Sequence, residues 1–140
     1  MRAIVIGRHS LLKGQIESLK KIGVREITNV LSIPEDRQDL EKIVNEWIKN
    51  KVHYVIVQAL RLKTLRTLWN ICNDKGLIVL VARMESIALV ETEQEAKNIT
   101  SKSPSTRTYI KGVQDKAYRV IEFKCWEKLK KLEVDLEPIN

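Results

Sequence analysis

The chain has 140 residues, of which 44% are hydrophobic and 5% aromatic, and it carries a formal net charge of +7. This length favours one domain with a mostly aliphatic core. No apolar run approaches the roughly 20 residues that a membrane span needs, and no signal-peptide pattern follows Met1. We therefore expect a cytoplasmic protein without a membrane partner. The abundance of Lys, Glu and Ile is typical of thermophile proteins.

Over the first 83 residues, short apolar runs alternate with stretches in which apolar residues recur at helical spacing. Continuous apolar runs predict buried strands over Ala3–Ile6, Tyr54–Val57 and Leu77–Val81, and loosely alternating apolar residues predict a further strand over Val24–Val30. Between them, apolar residues at helical spacing predict three helices: Leu12 to Ile22, Asp39 to Lys49 and Leu62 to Lys75. Ser32-Ile33-Pro34-Glu35 resembles a capping box that starts the second helix, and Gly76 is a suitable terminator of the third.

Strands that alternate with helices imply a parallel sheet with right-handed crossovers. By analogy with doubly wound folds, we expect the strand order 2-1-3-4. The predicted fold class is α/β: a three-layer, Rossmann-like domain with a mostly parallel central sheet, helices on both faces and a C-terminal β-hairpin extension. We expect one domain over residues 1–140. The parallel βα core would cover 1–83, and a mobile loop, a hairpin and a last strand would cover 84–140.

Residues 84–140 show a different pattern. Ser86–Val90 is a short apolar run that fits a strand or a helical turn. Asn98–Thr108, rich in Ser, Thr and Lys, predicts an exposed, mobile loop. The rest of the segment predicts a hairpin of Arg107–Lys111 and Ala117–Phe123, a helical turn at Cys125–Lys131 and a strand at Leu132–Leu136.

The candidate site lies at the carboxyl ends of the predicted strands, where ligands bind in doubly wound sheets. The first strand is followed by Gly7, Arg8, His9 and Ser10, the third by Gln58, Arg61 and Lys63, and the fourth by Arg83. With the order 2-1-3-4, the first and third strands flank the point where the strand order reverses. We therefore expect Arg8, His9 and Gln58 to line one crevice. The cations, and the helix start near Arg61, fit a phosphate-bearing ligand.

Several common sites are missing from the sequence. Gly7 and Gly14 do not form a G-x-G-x-x-G fingerprint, and no P-loop, metal-ligand spacing or G-x-S-x-G elbow is present. We therefore expect no metal and no cofactor. If the ligand is cleaved, the reaction would be metal-independent, with His9 as general acid/base and Arg8 holding the scissile phosphate. Binding without turnover fits the same residues.

Two stretches resemble a known family. Ile4-Val5-Ile6-Gly7-Arg8-His9-Ser10 is similar to the strand–Arg–His start of some small, Rossmann-like CRISPR-accessory proteins. Tyr54-Val55-Ile56-Val57-Gln58-Ala59-Leu60 is similar to their later strand-to-helix passage. Ser10 and Leu11 stand where that group often has proline and glycine. The resemblance implies a homodimer that binds or degrades cyclic oligoadenylates.

An alternative site is the basic segment, which we define as residues Lys97–Lys131. It contains ten Lys or Arg residues against three acids, whereas the rest of the chain balances fifteen against fifteen. Such an asymmetry predicts a polyanion-binding surface, and a solvated surface explains it equally well. The candidate nucleic-acid contacts are Arg107, Lys111, Lys116, Arg119, Lys124 and Lys128, with Tyr109, Tyr118 and Trp126 as stacking groups. A third reading is an interaction module whose hairpin forms a homodimer.

Overall fold

In the described residues 1–130, the computed structural model of the chain has six strands and four helices. The strands are β1 (Arg2–Ile6), β2 (Glu26–Val30), β3 (Val52–Val57), β4 (Ile78–Val90), β5 (Arg107–Lys111) and β6 (Tyr118–Lys128). The helices are α1 (Lys13–Lys21), α2 (Arg37–Lys49), α3 (Leu62–Lys75) and α4 (Glu93–Ser101). The strand predicted at Leu132–Leu136 lies outside the described residues.

The strands form one mixed sheet in the order β2-β1-β3-β4-β6-β5. β1 is parallel to β2 and β3, β3 is parallel to β4, and β5 is antiparallel to β6. The α/β class and the order 2-1-3-4 of the first four strands are confirmed. The expectation of a mostly parallel sheet is corrected, because the sheet is mixed, and the predicted C-terminal hairpin is present as the antiparallel pair β5 and β6. Ser86–Val90 continues β4, and the hairpin strand β6 joins the sheet beside this long strand.

The chain divides into two compact units. Unit 1 comprises Met1–Gly7, Glu26–Val81 and the described residues from Lys128 on. Unit 2 comprises Arg8–Arg25 and Ala82–Glu127. The single domain expected over residues 1–140 stays a prediction.

The core of unit 1 lies between its strands and helices α2 and α3. The strands contribute Ile4, Ile6, Val55, Val57 and Val79, α2 contributes Leu40, Val44 and Trp47, and α3 contributes Leu68, Ile71 and Cys72. Alternate strand residues point to the other face of a sheet, and these residues, Val5, Ile56 and Leu80, are buried as well. Most of β1 and β3 and the start of β4 are therefore buried on both faces, as their continuous apolar runs predict, whereas β2 is exposed or half-buried along its length. Each fully buried aliphatic side chain contributes about 1.5–3 kcal/mol.

Helix α2 begins later than its predicted capping box. Its N-cap is Asp36, whose carboxylate accepts a hydrogen bond from the Asp39 backbone N–H at 3.2 Å. The predicted start at Ser32–Glu35 is therefore wrong, because a second N-capping residue stands closer to the apolar stripe. Helix α3 ends as predicted at Gly76, which has a φ of +82° in the left-handed region.

Unit 2 departs from the sequence-based prediction at two places. Helix α4 covers the first part of the segment Asn98–Thr108, so the prediction of a loop throughout is wrong. Thr92 caps this helix by accepting a hydrogen bond from the Glu95 N–H at 3.2 Å. The helical turn predicted at Cys125–Lys131 is also wrong over its described part, because β6 continues to Lys128.

Candidate functional site

The carboxyl ends of β1, β2 and β3 meet at Gly7, the first residue after β1. Ile6 is in register with Val30 of β2 and with Val57 of β3. The Gly7 N–H donates a hydrogen bond to the Val30 carbonyl at 2.9 Å, and the Gln58 N–H donates one to the Ile6 carbonyl at 3.1 Å. The sheet ladder therefore continues one residue beyond each strand, and it fixes the backbones of Gly7 and Gln58 side by side.

The side chain of Gln58 lies across Gly7. A Cβ atom at residue 7 would stand 2.8 Å from both Cβ and Cδ of Gln58, and it would also meet Gln58 Oε1. Gly7 has a φ of +150°, a conformation that residues with a side chain rarely adopt. Glycine is therefore required at residue 7 for two reasons: the backbone conformation, and the space that the carboxamide of Gln58 occupies. Both residues are partly exposed.

Arg8, His9 and Ser10 follow Gly7 directly and belong to unit 2. All three are exposed, so His9 is not a buried core histidine. No described residue forms an ion pair with the Arg8 guanidinium. An exposed guanidinium of this kind keeps its fork of N–H donors available for a carboxylate or a phosphate.

Arg61 and Lys63 stand at the start of α3, in unit 1. Arg61 is the N-cap residue, its side chain forms no capping hydrogen bond, and the first turn of α3 contains no acidic residue. Lys63 is exposed. The Nη1 atom of Arg61 lies 3.8 Å from Oε1 of Glu35, and both side chains are largely exposed. This helix end therefore presents positive charge, which Glu35 partly balances.

Arg83 does not stand where the sequence analysis expects it. It lies inside β4, in unit 2, because that strand continues to Val90. Its side chain is exposed and its Nη2 atom lies 3.5 Å from Oε1 of Glu85. The structure thus places Gly7 and Gln58 together and gives Arg61 a carboxylate partner. For Arg83 it shows a position within a strand.

The basic segment is partly neutralised within unit 2. Arg107 Nε and Lys124 Nζ each lie 2.6 Å from a carboxylate oxygen of Glu122, and Arg107 Nη1 also donates to the Ile99 carbonyl at 3.1 Å. The hydrogen bonds from Lys124 and then Arg107 lower the pKa of Glu122, and the bond to Glu122 raises the pKa of Lys124. Two of the candidate nucleic-acid contacts therefore already have a carboxylate partner.

The aromatic residues of the basic segment also have partners in unit 2. The Tyr109 hydroxyl donates to Glu93 Oε1 at 2.9 Å, and this bond raises the pKa of Tyr109. Tyr118 meets the Tyr109 ring edge-on at 6.2 Å, and Lys111 Nζ lies 5.9 Å from the centre of the Tyr118 ring. Trp126 Nε1 donates to the Gln15 carbonyl at 3.1 Å. The other candidate cations, Lys116, Arg119 and Lys128, are exposed.

No protein-family model and no curated protein matches the sequence. Among the described residues, no group of three or more His, Cys, Asp or Glu side chains is placed to hold a metal ion. None of the described helices is long and apolar enough to span a membrane.

Sequence reasoning missed two features of this edge. One is the carboxylate of Glu35, which lies beside Arg61. Glu35 comes shortly after β2 in the chain, and a residue that follows a parallel strand is expected at the carboxyl edge of the sheet, so its position could have indicated this contact. The other is the requirement for glycine at residue 7, which depends on Gln58, a residue 51 positions later in the chain. That requirement follows from the pairing of β1 with β3.

Proposed function

We propose that the chain binds an anionic, nucleotide-type ligand at the carboxyl edge of β1 and β3. The observation that carries this proposal is the arrangement around Gly7. The carboxamide of Gln58 lies across Gly7 at the end of β1, and the chain continues from Gly7 into the exposed residues Arg8 and His9. In sheets of this order, the crevice beyond the carboxyl ends of the two central strands is the usual ligand site.

The charges at this edge support an anion as the ligand. Arg8 has no carboxylate partner among the described residues, and its planar fork of donors suits a phosphate. Lys63 and the uncapped start of α3 add positive potential in unit 1. In this proposal the ligand binds beyond the carboxyl ends of the strands, as in Rossmann-like sheets, and Arg8 holds a phosphate group.

His9 adds a route to phosphodiester cleavage. Its exposed imidazole can accept a proton from the attacking oxygen of water or a ribose hydroxyl. As the new P–O bond forms, the bond to the leaving oxygen breaks, and that oxygen takes up a proton. The guanidinium of Arg8 would balance the charge on the phosphoryl oxygens. The reaction consumes no oxidant, and the step does not require a metal.

The resemblance to small CRISPR-accessory proteins names the first ligands to test. Cyclic hexa-adenylate and linear hexa-adenylate carry the same bases and differ by the phosphodiester link that closes the ring, so comparing them separates recognition of the ring from recognition of the strand. Both are incubated with the full chain in a buffer without added metal. Binding is followed by calorimetry and cleavage by chromatography.

Arg8→Ala tests the proposal, with Arg25→Ala as the matched control. Arg25 is also an exposed arginine, and it precedes the amino end of β2. We expect Arg8→Ala to weaken binding about tenfold or more, since a hydrogen bond to a charged group contributes about 1.5–3 kcal/mol. Arg25→Ala should leave binding unchanged. Equal binding by the wild type and Arg8→Ala contradicts the proposal.

His9→Ala separates binding from turnover. If the wild type cleaves either ligand, this variant should lower the rate about 10²–10⁴-fold while binding changes little. If the wild type binds without cleaving, the function is binding alone. A His9→Ala variant that cleaves at the wild-type rate removes His9 from the mechanism.

Nucleic-acid binding by the basic segment has less support, because Arg107, Lys111, Lys124 and the three aromatic side chains already have partners within unit 2. If the segment binds duplex DNA, the logarithm of the binding constant should fall with the logarithm of the salt concentration, with a slope of about 0.9 for each phosphate contact. Replacing Lys124, Lys128 and Lys130 by Ala would then flatten that slope.

A further inference from the structure

We infer that strand β4 of unit 2 pairs with the same strand of a second copy of this chain, in antiparallel orientation about a two-fold axis at Ile87. The inference assigns an interaction surface and does not depend on the proposed ligand. It also differs from the reading in which the hairpin forms the homodimer, because the contact lies on β4.

The first argument is that β4 lies at an edge of the sheet of unit 2. This unit contains residues 82–90 of β4 together with β6 and β5, in the order β4-β6-β5. β3 does not extend along residues 82–90, because its last pair with β4 is Ile56–Leu80 and the strand ends at Val57. Residues 82–90, which we call the β4 edge, thus have β6 on one side and no described strand on the other. The backbone groups of such an edge are a template for pairing with another chain.

The second argument is that the β4 edge is apolar. Ile87 and Leu89 are alternate residues of the strand, so they lie on the same face, and they are 38% and 61% exposed. The other edge strand of unit 2, β5, has five residues and carries the cations Arg107 and Lys111. Antiparallel pairing of β5 with itself about Tyr109 would place these cations opposite each other. Short, charged edges disfavour pairing, so β4 is the edge of unit 2 that suits a second strand.

The third argument is the charge pattern along the β4 edge. An antiparallel register about Ile87 places Ile87 opposite its equivalent, and it places Arg83 opposite the exposed Glu91 of the second copy. A register about Glu85 would instead oppose two Glu85 side chains. A register about Ala88 would oppose Glu85 to Glu91. Opposite charges therefore favour the axis at Ile87, and like charges disfavour these two alternatives.

Arg83 is able to take part in this contact. Its Nη2 atom lies 3.5 Å from Glu85 Oε1, and both side chains are about half exposed, so this pair contributes little to stability. Glu85 also lies 3.8 Å from Lys124 Nζ. Glu85 therefore keeps a cationic partner when Arg83 turns to Glu91 of the second copy.

The test measures the mass of the full chain in solution by sedimentation equilibrium, at low salt and over a range of protein concentrations. The chain has a mass of 16.2 kDa, and the wild type should approach twice this mass as the concentration rises. It should not exceed that value, because a two-fold contact uses the same edge on both copies and leaves none free.

Ile87→Lys is the first variant, with Ile110→Lys as the matched control. Ile87→Lys places two like charges opposite each other, so we expect the dimer to dissociate about tenfold or more readily. Ile110 is also an exposed isoleucine on a strand, but it belongs to β5. Ile110→Lys should therefore dimerise like the wild type.

Charge reversal of Arg83 and Glu91 tests the register. Arg83→Glu or Glu91→Arg alone replaces both ion pairs of the dimer by like-charge contacts, so each should weaken dimerisation about tenfold. The double variant Arg83→Glu/Glu91→Arg exchanges the charges and restores the attraction. It should recover most of the wild-type affinity at low salt, and the differences between the variants should diminish at high salt.

Three results overturn the inference. The first is a wild type that stays at 16.2 kDa at every concentration or grows beyond two chains. The second is a dimer that Ile110→Lys weakens and Ile87→Lys does not, which would move the contact to β5. The third is a double charge reversal that remains folded by thermal unfolding and does not recover the affinity. All the substituted residues are exposed, and no oligonucleotide is present, so these results leave the proposed function untouched.

Discussion

The indole nitrogen of Trp69 donates a hydrogen bond to the Leu129 carbonyl, with a distance of 2.9 Å between Nε1 and O. The Leu129 N–H in turn donates to the Val79 carbonyl at 2.9 Å, and the Leu129 side chain packs against the core of unit 1. These two bonds attach Leu129, the residue after β6, to helix α3 and to Val79 of β4, all within unit 1. A residue late in the chain thus contributes to the core that Met1–Gly7 and Glu26–Val81 build.

We expect Trp69→Phe to destabilise the chain by about 1–3 kcal/mol. The change removes the donor and leaves the Leu129 carbonyl without that partner, and an unsatisfied polar group costs about this much. The measurement is urea unfolding. The midpoint should fall while the dependence of the unfolding free energy on urea stays the same. A midpoint equal to that of the wild type would show that water replaces the indole at no cost.

We expect Gly7→Ala to be more destabilising than Gly76→Ala. Both glycines have positive φ angles, +150° and +82°, but a Cβ at Gly76 would meet nothing within 4 Å. Gly76→Ala should therefore cost about 1–2 kcal/mol from backbone strain. Gly7→Ala adds the collision with Gln58 and should cost about 2–4 kcal/mol.

The double variant Gly7→Ala/Gln58→Ala tests how much the outer part of the Gln58 side chain contributes. Shortening residue 58 to alanine removes the contacts of a residue-7 Cβ with Cδ and Oε1, and it leaves the 2.8 Å contact with the residue-58 Cβ and the backbone strain at residue 7 unchanged. Part of the lost stability should therefore return, as measured by the same urea unfolding. Additive costs of the two single changes would mean that the side chains do not interact.

Glu35→Gln should strengthen binding of hexa-adenylate if the carboxyl edge is the ligand site. Glu35 lies 3.8 Å from the Arg61 guanidinium and competes with an anionic ligand for it. Exposed pairs of this kind contribute up to about 1 kcal/mol, so we expect an affinity about two- to fivefold higher at low salt. The gain should disappear at high salt, where such charges are screened.

Glu41→Gln is the control for this measurement. Glu41 of α2 forms an ion pair with the partly buried Lys75 of α3, whose Nζ lies 3.6 Å from Glu41 Oε1. Removing its charge changes the net charge of the chain by the same amount. If both variants strengthen binding equally, the effect is one of overall charge and not of Arg61.

The Glu122 carboxylate should make stability depend on pH in the acidic range. Its pKa is lowered from 4.5 by hydrogen bonds from Lys124 and Arg107, so the folded chain holds its proton less tightly than the unfolded chain does. The stabilisation is therefore fully present above pH 4.5 and is lost as the pH falls through the lower pKa of the folded chain.

Glu122→Gln tests this prediction, with Glu127→Gln as the control. The stability difference between the wild type and Glu122→Gln should shrink as the pH falls below about 4.5, because both chains then carry a neutral side chain. Glu127 is exposed on β6 and forms no ion pair with a described residue. The stability difference between the wild type and Glu127→Gln should therefore not shrink as the pH falls below about 4.5.

Much of unit 1 could be predicted from the sequence, because its elements have strong local signals. The runs around Val5 and Ile56 are apolar without interruption, as strands buried on both faces require. Helix α3 has an apolar stripe and ends at a glycine. The start of α2 could not be placed, since Ser32 and Asp36 are both good N-cap residues and the choice depends on packing.

Helix α4 was missed because its own signal is weak. It buries Ala96 and otherwise carries mostly polar residues, so it has little apolar periodicity. The available signal was the pair Thr92 and Glu95, which has the spacing of an N-terminal cap. The candidate site was predicted as a set of strand-end residues. The packing of Gln58 on Gly7 requires the strand order and the backbone conformation, which local sequence does not specify.

The contact between Gly7 and Gln58 also restricts the order in which substitutions can accumulate. A side chain at residue 7 collides with the Cβ, Cδ and Oε1 atoms of Gln58, whereas a shorter residue at 58 is compatible with glycine at 7. Replacing Gln58 by a shorter residue first removes the contacts with Cδ and Oε1, so a later change at residue 7 meets only the Cβ of residue 58 and the backbone strain. We therefore expect a substitution at Gly7 to cost less stability after Gln58 has been shortened than before, so the order of the two changes matters.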